Sequence, residues 1–219
     1  MESLDSLVDL RQTSLLVSLL SILFNPIAWN IVAQNEYRNK TITRIFGGNA
    51  RNGCYFLAVL IFSFGILRDS LCVHIIFLRT TNISNFIRVG RYHRALADQP
   101  KRQLLPAPLD TVVPTAMFLV GQTFVVTSTW ALGVTGTFLG DYFGILMDHR
   151  VEGFPFNALR DPMYVGSTLS FAATALWYER PAGLFITLYV YIIYVIALRF
   201  EGPFTDMIYA RREAAKKKT

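Results

Sequence analysis

Charge-free apolar runs alternate along this chain with short charged or polar segments. The apolar runs are residues 12–35, 52–67, 111–140, 163–178 and 182–198, and a further apolar stretch after Arg68-Asp69 reaches Leu78. At about 1.5 Å per helical residue the first and third are long enough to cross a hydrocarbon core about 30 Å thick. Asn25-Pro26 interrupts the first run, so it either crosses bent or dips in and returns. The run 163–178 is short for a full crossing. Only Glu179-Arg180-Pro181, a turn composition, separates it from the last run, which makes the two antiparallel neighbours. The pattern predicts an all-α integral membrane protein of four to five apolar helices, the last two forming a helical hairpin. It reads as a single domain over 1–219, with N-terminal helices in 12–78, a catalytic region in 111–210 and a basic tail in 211–219.

Between Gly133 and Gly166 the pattern departs from plain helix and loop. A glycine-spaced helix end passes into a polar, acid-bearing segment and re-enters an apolar run at Pro162-Met163-Tyr164. Polar groups held at the hydrocarbon boundary mark function in membrane proteins. The hairpin adds a second cluster: its open ends, Arg160 to Tyr164 and Arg199 to Gly202, meet at one membrane face.

Composition agrees with a membrane location. The chain is 53% hydrophobic and 16% charged, with mean hydropathy +0.37, too apolar for an ordinary soluble domain. The net charge of +6 comes from Lys and Arg in loops and tail, which suits cytoplasmic-side bias and anionic lipid heads. No basic face stands apart from the apolar runs, so nucleic-acid binding is not expected. Cys54 and Cys72 lie in or beside apolar runs and read as small buried hydrophobes. The acidic N-terminus is not that of a cleavable signal peptide. Asn82-Ile83-Ser84 is a glycosylation sequon in a long polar connection, and Lys216-Lys217-Lys218-Thr219 has the pattern of a dilysine retrieval signal or a solvated basic tail.

Several chemistries are unsupported. His74, His93 and His149 have no ligand spacing, so no metal site is expected, and no G-x-S-x-G elbow occurs. The glycines from Gly121 to Gly140 do not form a nucleotide-binding fingerprint; they suit close helix packing or approach of a ligand to bared backbone. What remains is a boundary pocket with Asp141, Asp148, Asp161 and Glu201, one guanidinium at Arg160, and many aromatics, including Tyr142, Phe143, Phe156 and Tyr164. Carboxylates beside aromatic faces suit a cationic ligand.

The blocks GTFLGDYFGIL (136–146), FPFNALRDPMYVGS (154–167), EGPFTDMIYA (201–210) and NPIAWN (25–30) resemble, in order, those of the phospholipid N-methyltransferases. These enzymes convert phosphatidylethanolamine derivatives to phosphatidylcholine, and the likeness is to the fungal type acting on mono- and dimethylated lipids. The resemblance implies S-adenosylmethionine as methyl donor, a phospholipid substrate and the endoplasmic reticulum membrane, with a cytosolic C-terminus; a mitochondrial membrane is the alternative. It also implies cofactor positions. Gly121 matches the second glycine of a G-x-G, with Leu119 where the first is expected. Glu201 matches the first of a Glu-Glu pair, with Gly202 in place of the second. Arg160 to Gly166 resembles an Arg-His-Pro-x-Tyr-x-Gly block, with Asp161 at the histidine. Gly121, Arg160, Pro162, Tyr164, Gly166, Glu201 and Gly202 are thereby cofactor-binding candidates, and Asp161, Asp141 and Tyr164 catalytic ones. A lipid-binding scaffold that lacks a donor site and a hairpin-type membrane reductase that binds a nicotinamide are the rival readings.

Two topologies compete. Four full spans with both termini cytosolic put fourteen Lys/Arg inside and seven outside, obeying the positive-inside rule. That arrangement separates Tyr164 from Glu201 by about 30 Å of hydrocarbon. The hairpin joins them on one face and makes 79–110 lumenal when three full spans precede it. The hairpin is preferred, because a split site has no chemistry.

Overall fold

The computed structural model describes residues 7–69, 91–148 and 151–217. The sequon at Asn82, Cys72, His74, His149, the apolar stretch up to Leu78 and the last two tail residues lie outside them. Among the described residues there is no strand. The helices are α1 (Thr13–Asn39), α2 (Thr41–Ile45), α3 (Ala50–Asp69), α4 (Arg91–Ala97), α5 (Leu109–Thr137), α6 (Pro162–Trp177) and α7 (Pro181–Lys216), with a 3-10 turn at Gly140–Phe143 after α5.

Three are long and apolar enough to cross a membrane: α1, α5 with the following turn, and α7; the apolar part of α3, Ala50–Gly65, is shorter. The chain is an all-helical membrane protein. α1 runs unbroken through Pro26 for 27 residues, about 40 Å at 1.5 Å per residue, as a proline inside a membrane helix can when neighbours support it. It ends at Lys40 in the left-handed region. The fully buried Glu36 carboxylate there takes the backbone N–H groups of Ile42 and Thr43 at 2.6 and 3.2 Å, satisfying donors that open α2.

The predicted hairpin is present. α6 and α7 pack together through a turn at Tyr178–Arg180, and α6 also packs along α5. At the α5–α6 crossing a Cβ on Gly121 would lie 2.6 Å from the Gly166 carbonyl, and one on Gly166 would lie 2.5 Å from the Gly121 carbonyl. Neither position admits a side chain without moving a helix. The core unites Leu15 and Ile22 of α1, Tyr92 and Leu96 of α4, Phe171 of α6 and Ile186, Val190 and Tyr194 of α7. The Tyr92 hydroxyl donates to the Phe171 carbonyl at 3.0 Å.

Contacts at the helix ends define two faces. The hairpin turn lies with the segment after α4: Arg102 N–H donates to the Glu179 carbonyl at 2.9 Å, Arg180 donates to the Gln99 carbonyl, and Gln99 bonds Asp9. At the opposite end, Tyr37 of α1 meets Phe204 of α7 edge-on, and the Lys40 ammonium donates to the Tyr142 carbonyl at 3.3 Å. Tyr164 and Glu201 both lie at this second end, in direct contact. The topology of four full spans that separates them is thereby corrected: with α6 and α7 as a hairpin, the two clusters share a face.

α7 also departs from expectation. Residues 205–216 continue the helix past Pro203 rather than forming a bare tail. Pro203 withholds the N–H that would bond the Arg199 carbonyl, but the helix carries on because Phe204 stacks on Tyr142 (centroids 5.0 Å apart, planes 4° apart) and Ile208 is buried with Ala33.

Candidate active site

Glu201 sits on α7 where the helix leaves the apolar core, and Tyr164 on the first turn of α6. The Tyr164 hydroxyl donates to Glu201 Oε2 at 2.7 Å. Its ring is held edge-on against Tyr194, centroids 4.8 Å apart. Asn30 of α1 lies near the Glu201 carboxylate, and its Oδ1 accepts from Gln34 Nε2 at 2.7 Å. α6 and α7 therefore fix one carboxylate, with α1 beside it. One turn beyond Glu201, the Thr205 hydroxyl donates to Asp141 Oδ2 at 3.0 Å, and Asp141 Oδ1 takes the Tyr142 N–H. Asp141 is thus tied to the 3-10 turn that closes off α5.

Around Glu201 opens a cavity of about 920 Å³, of the size that encloses small-molecule ligands. Asp161, Arg160, Glu201 and Gly202 line it, as does the face of the α7 extension bearing Thr205, Asp206, Tyr209, Arg212 and Glu213. Leu132, Phe156 and Leu198 form its apolar part, and Met147, Asp148 and Val151 belong to the connection between α5 and α6. That connection is fastened to α7. Arg212 Nη1 donates to the Met147 carbonyl at 2.7 Å, its Nη2 lies 3.5 Å from Asp148, and the Tyr209 hydroxyl accepts the Met147 N–H at 3.3 Å.

Asp161 occupies the N-cap position of α6 without bonding the helix N–H groups through its side chain. Its carboxylate therefore remains available to the cavity, with Arg160 Nε 4.0 Å away. The Arg160 side chain is 86% exposed at the rim. Pro162 starts α6 at its first position, where its missing N–H costs nothing. Gly202 opens onto free space, since a Cβ there would meet nothing within 4 Å. Gly121 and Gly166 face each other at the helix crossing and do not line the cavity. The structure therefore brings Arg160, Asp161, Tyr164, Glu201 and Gly202 together, and puts Asp141 behind Thr205.

Sequence reasoning did not single out Asn30 or the wall from Thr205 to Glu213. The signal was there: 198, 201/202, 205, 209 and 212/213 keep the three-to-four spacing of one helix face, continuing the face that carries Glu201.

These features coincide with kinship. The phospholipid methyltransferase family model matches residues 109–212, the span from the start of α5 through the cavity wall. A phosphatidyl-N-methylethanolamine N-methyltransferase of Neurospora crassa is 50% identical over 96% of this chain and 89% of its own length. The enzyme of that name from Saccharomyces cerevisiae is 48% identical over 96% and 92%. A phosphatidylethanolamine N-methyltransferase of Homo sapiens is 36% identical, covering 96% of both chains. No solved structure matches significantly. The chain belongs to the phospholipid methyltransferase family and is an enzyme of the phospholipid N-methyltransferase type.

Proposed function

We propose that this protein transfers methyl groups from S-adenosylmethionine to the amine of phosphatidylethanolamine derivatives, the mono- and dimethyl forms above all, towards phosphatidylcholine. The observation that carries the reading is an acid-lined cavity at one membrane face whose wall residue Glu201 is held from behind by Tyr164, in a chain that shares its family with enzymes named for these steps.

The residues present fit such a donor. Glu201, Asp161 and Asp206 offer carboxylates to a cationic sulfonium and an α-ammonium group, and Arg160 offers a planar fork to a carboxylate or phosphate. Gly202 leaves room beside Glu201. When bound, the donor supplies an electrophilic methyl group on a positively charged sulfur.

The chain's own part follows from the acceptor's chemistry. A protonated alkylamine, with a pKa of about 10.4 as in Lys, has no lone pair to attack with. The cavity carboxylates draw the ammonium in, and withdrawal from water then favours loss of its proton. Asp161, uncommitted to helix capping, is placed to receive that proton or hold the headgroup. Asp141 acts through Thr205 and the 3-10 turn as a positioning residue. Glu201, oriented by Tyr164, holds the cationic end of the donor. Orientation of two bound reactants supplies much of the acceleration in such a displacement.

Orientation in the membrane follows the basic residues. Arg38, Lys40, Arg44, Arg51 and the stretch from Arg211 to Lys217 flank the cavity face, whereas Arg11, Arg94, Lys101, Arg102 and Arg180 lie at the other end. We therefore place the cavity and the C-terminus in the cytosol, and take the endoplasmic reticulum as the membrane from the family resemblance. The test is an assay of purified protein with radiolabelled S-adenosylmethionine against phosphatidylethanolamine and its mono- and dimethyl derivatives. Label in the lipid, greatest with the partly methylated acceptors, is expected; donor binding without transfer to any of the three overturns the reading.

A further inference from the structure

The cavity has an apolar end that the chemistry above does not use. From the Gly121–Gly166 crossing, α6 extends only to Pro162 on the cavity side, whereas α5 runs on to Thr137. Up to Leu132, the last residue before the non-helical Gly133, that is four residues against eleven, so the regular part of α5 overhangs the start of α6 by about 10 Å at 1.5 Å per residue. α6 is the helix that separates α5 from α7 elsewhere. Where it stops, the space between the end of α5 and α7 is left to the cavity, which Leu132 of α5, Leu198 of α7 and Phe156 line there.

The turns that bound this gap lie at the level of the membrane. Leu132 and Leu198 belong to helices long and apolar enough to cross a membrane, and the far sides of the same turns carry Trp130 and Val134 at 89% and 47% exposure and Ile196 and Phe200 at 47% and 64%. Exposed aliphatic and aromatic side chains at this density suit lipid rather than water. At Gly133 the backbone leaves helical geometry (φ 66°, ψ 178°), so the last turn of α5 is set apart from the helix beneath it beside Leu132. One cavity thus spans from apolar walls on membrane-crossing helices to Asp161, Glu201, Asp206 and Glu213.

We infer that Leu132 and Leu198, with Phe156, form a side port through which the phospholipid acceptor enters from the bilayer and along which the first segments of its acyl chains lie. The inference rests on the function proposed above. The polarity gradient fixes the orientation: amine inward among the carboxylates, chains outward between α5 and α7. It makes Leu132 and Leu198 determinants of chain-length selectivity, a role separate from the residues that hold the donor.

The experiment compares kcat/KM for dioleoyl and dihexanoyl phosphatidyl-N-methylethanolamine in detergent micelles, in the wild type and in Leu132→Trp and Leu198→Trp. Filling the port is expected to lower the dioleoyl-to-dihexanoyl ratio at least fivefold, with donor affinity held as evidence that the fold is intact. If either tryptophan variant loses donor binding, Leu132→Phe and Leu198→Phe carry the same comparison. Val126→Trp places the same bulk on a 60%-exposed position of α5 outside the cavity and is expected to leave the ratio unchanged. An active enzyme whose ratio does not move, or one in which Val126→Trp moves it equally, overturns the port alone. Wild-type protein that methylates neither lipid overturns the functional reading, and the port with it.

Discussion

The hydroxyl of Tyr164 lies 2.7 Å from the carboxylate of Glu201, although 37 residues of chain separate them. The hairpin brings them together: Tyr164 opens one helix, and Glu201 sits where the antiparallel partner has passed that opening. The bond joins two halves of a site that a span-by-span reading puts on opposite sides of the membrane.

Glu201→Gln keeps the shape of the side chain and removes its charge. Loss of a charge-assisted pair costs about 1.5–3 kcal/mol, or roughly tenfold to a hundredfold in affinity. Equilibrium binding of S-adenosylmethionine to the purified variant should weaken by that factor at near-normal expression. Unchanged affinity in a folded variant would remove Glu201 from the donor site.

Tyr164→Phe should act on the same quantity, because it deletes the donor to Glu201 while preserving the ring against Tyr194. The two substitutions should be non-additive: Tyr164→Phe in the Glu201→Gln background should cost at least 0.5 kcal/mol less than in the wild type. Tyr164→Ala should also lower the melting temperature, since it empties a packed position. Additive effects in the double variant would separate the hydroxyl from Glu201.

The glycines should divide into two kinds. Gly121→Ala and Gly166→Ala each force a methyl group to within 2.6 Å of a facing carbonyl, and overpacking of this sort costs about 1–3 kcal/mol. Thermal stability should fall while donor affinity of the folded fraction stays close to wild type. Gly202→Ala meets open space and should be neutral or stabilising by about 0.5–1 kcal/mol in its helix. A large loss of donor affinity in Gly121→Ala, with stability intact, would restore that residue to the cofactor site.

Thr205→Val removes the hydroxyl that donates to Asp141. A partly buried carboxylate that loses a donor is destabilised by about 1–3 kcal/mol. Asp141→Asn in the same background should recover part of the stability, because it removes the charge left without that donor. Failure of the second substitution to rescue the first would show that Asp141 is not the reason Thr205 matters.

Membrane sidedness can be read with single cysteines in a cysteine-free background. The Asp148 side chain is 95% exposed beside the cavity, and a cysteine there should react with an impermeant maleimide added from the cytosol. Gln103 is exposed beside Arg102, whose N–H bonds the hairpin turn at the opposite face; a cysteine there should react only after permeabilisation. The reverse pattern would put the cavity in the lumen and overturn the proposed orientation.

By itself the sequence determined the membrane class, the apolar runs and the hairpin, because burying uncharged segments of bilayer length and turning at Glu179-Arg180-Pro181 are local demands. It also marked Arg160, Asp161 and Glu201, since charge at the end of an apolar run stands out without knowledge of its neighbours, and Tyr164 as an aromatic in the block that resembles the family's. Whether Asn25-Pro26 broke α1 was not legible: a proline's cost depends on what packs around it, and here α1 is held against α4 and α7. Nor was the extension of α7 beyond Pro203, which is kept helical by Phe204 and Ile208 packing against Tyr142 and Ala33. Only the tertiary structure could tell that Gly121 and Gly166 serve each other, that Asn30 on the first helix lies near Glu201 on the last, and that α6 stops short enough to leave a cavity. Those are relations between helices distant in sequence, fixed by crossing positions and relative lengths that no single run encodes.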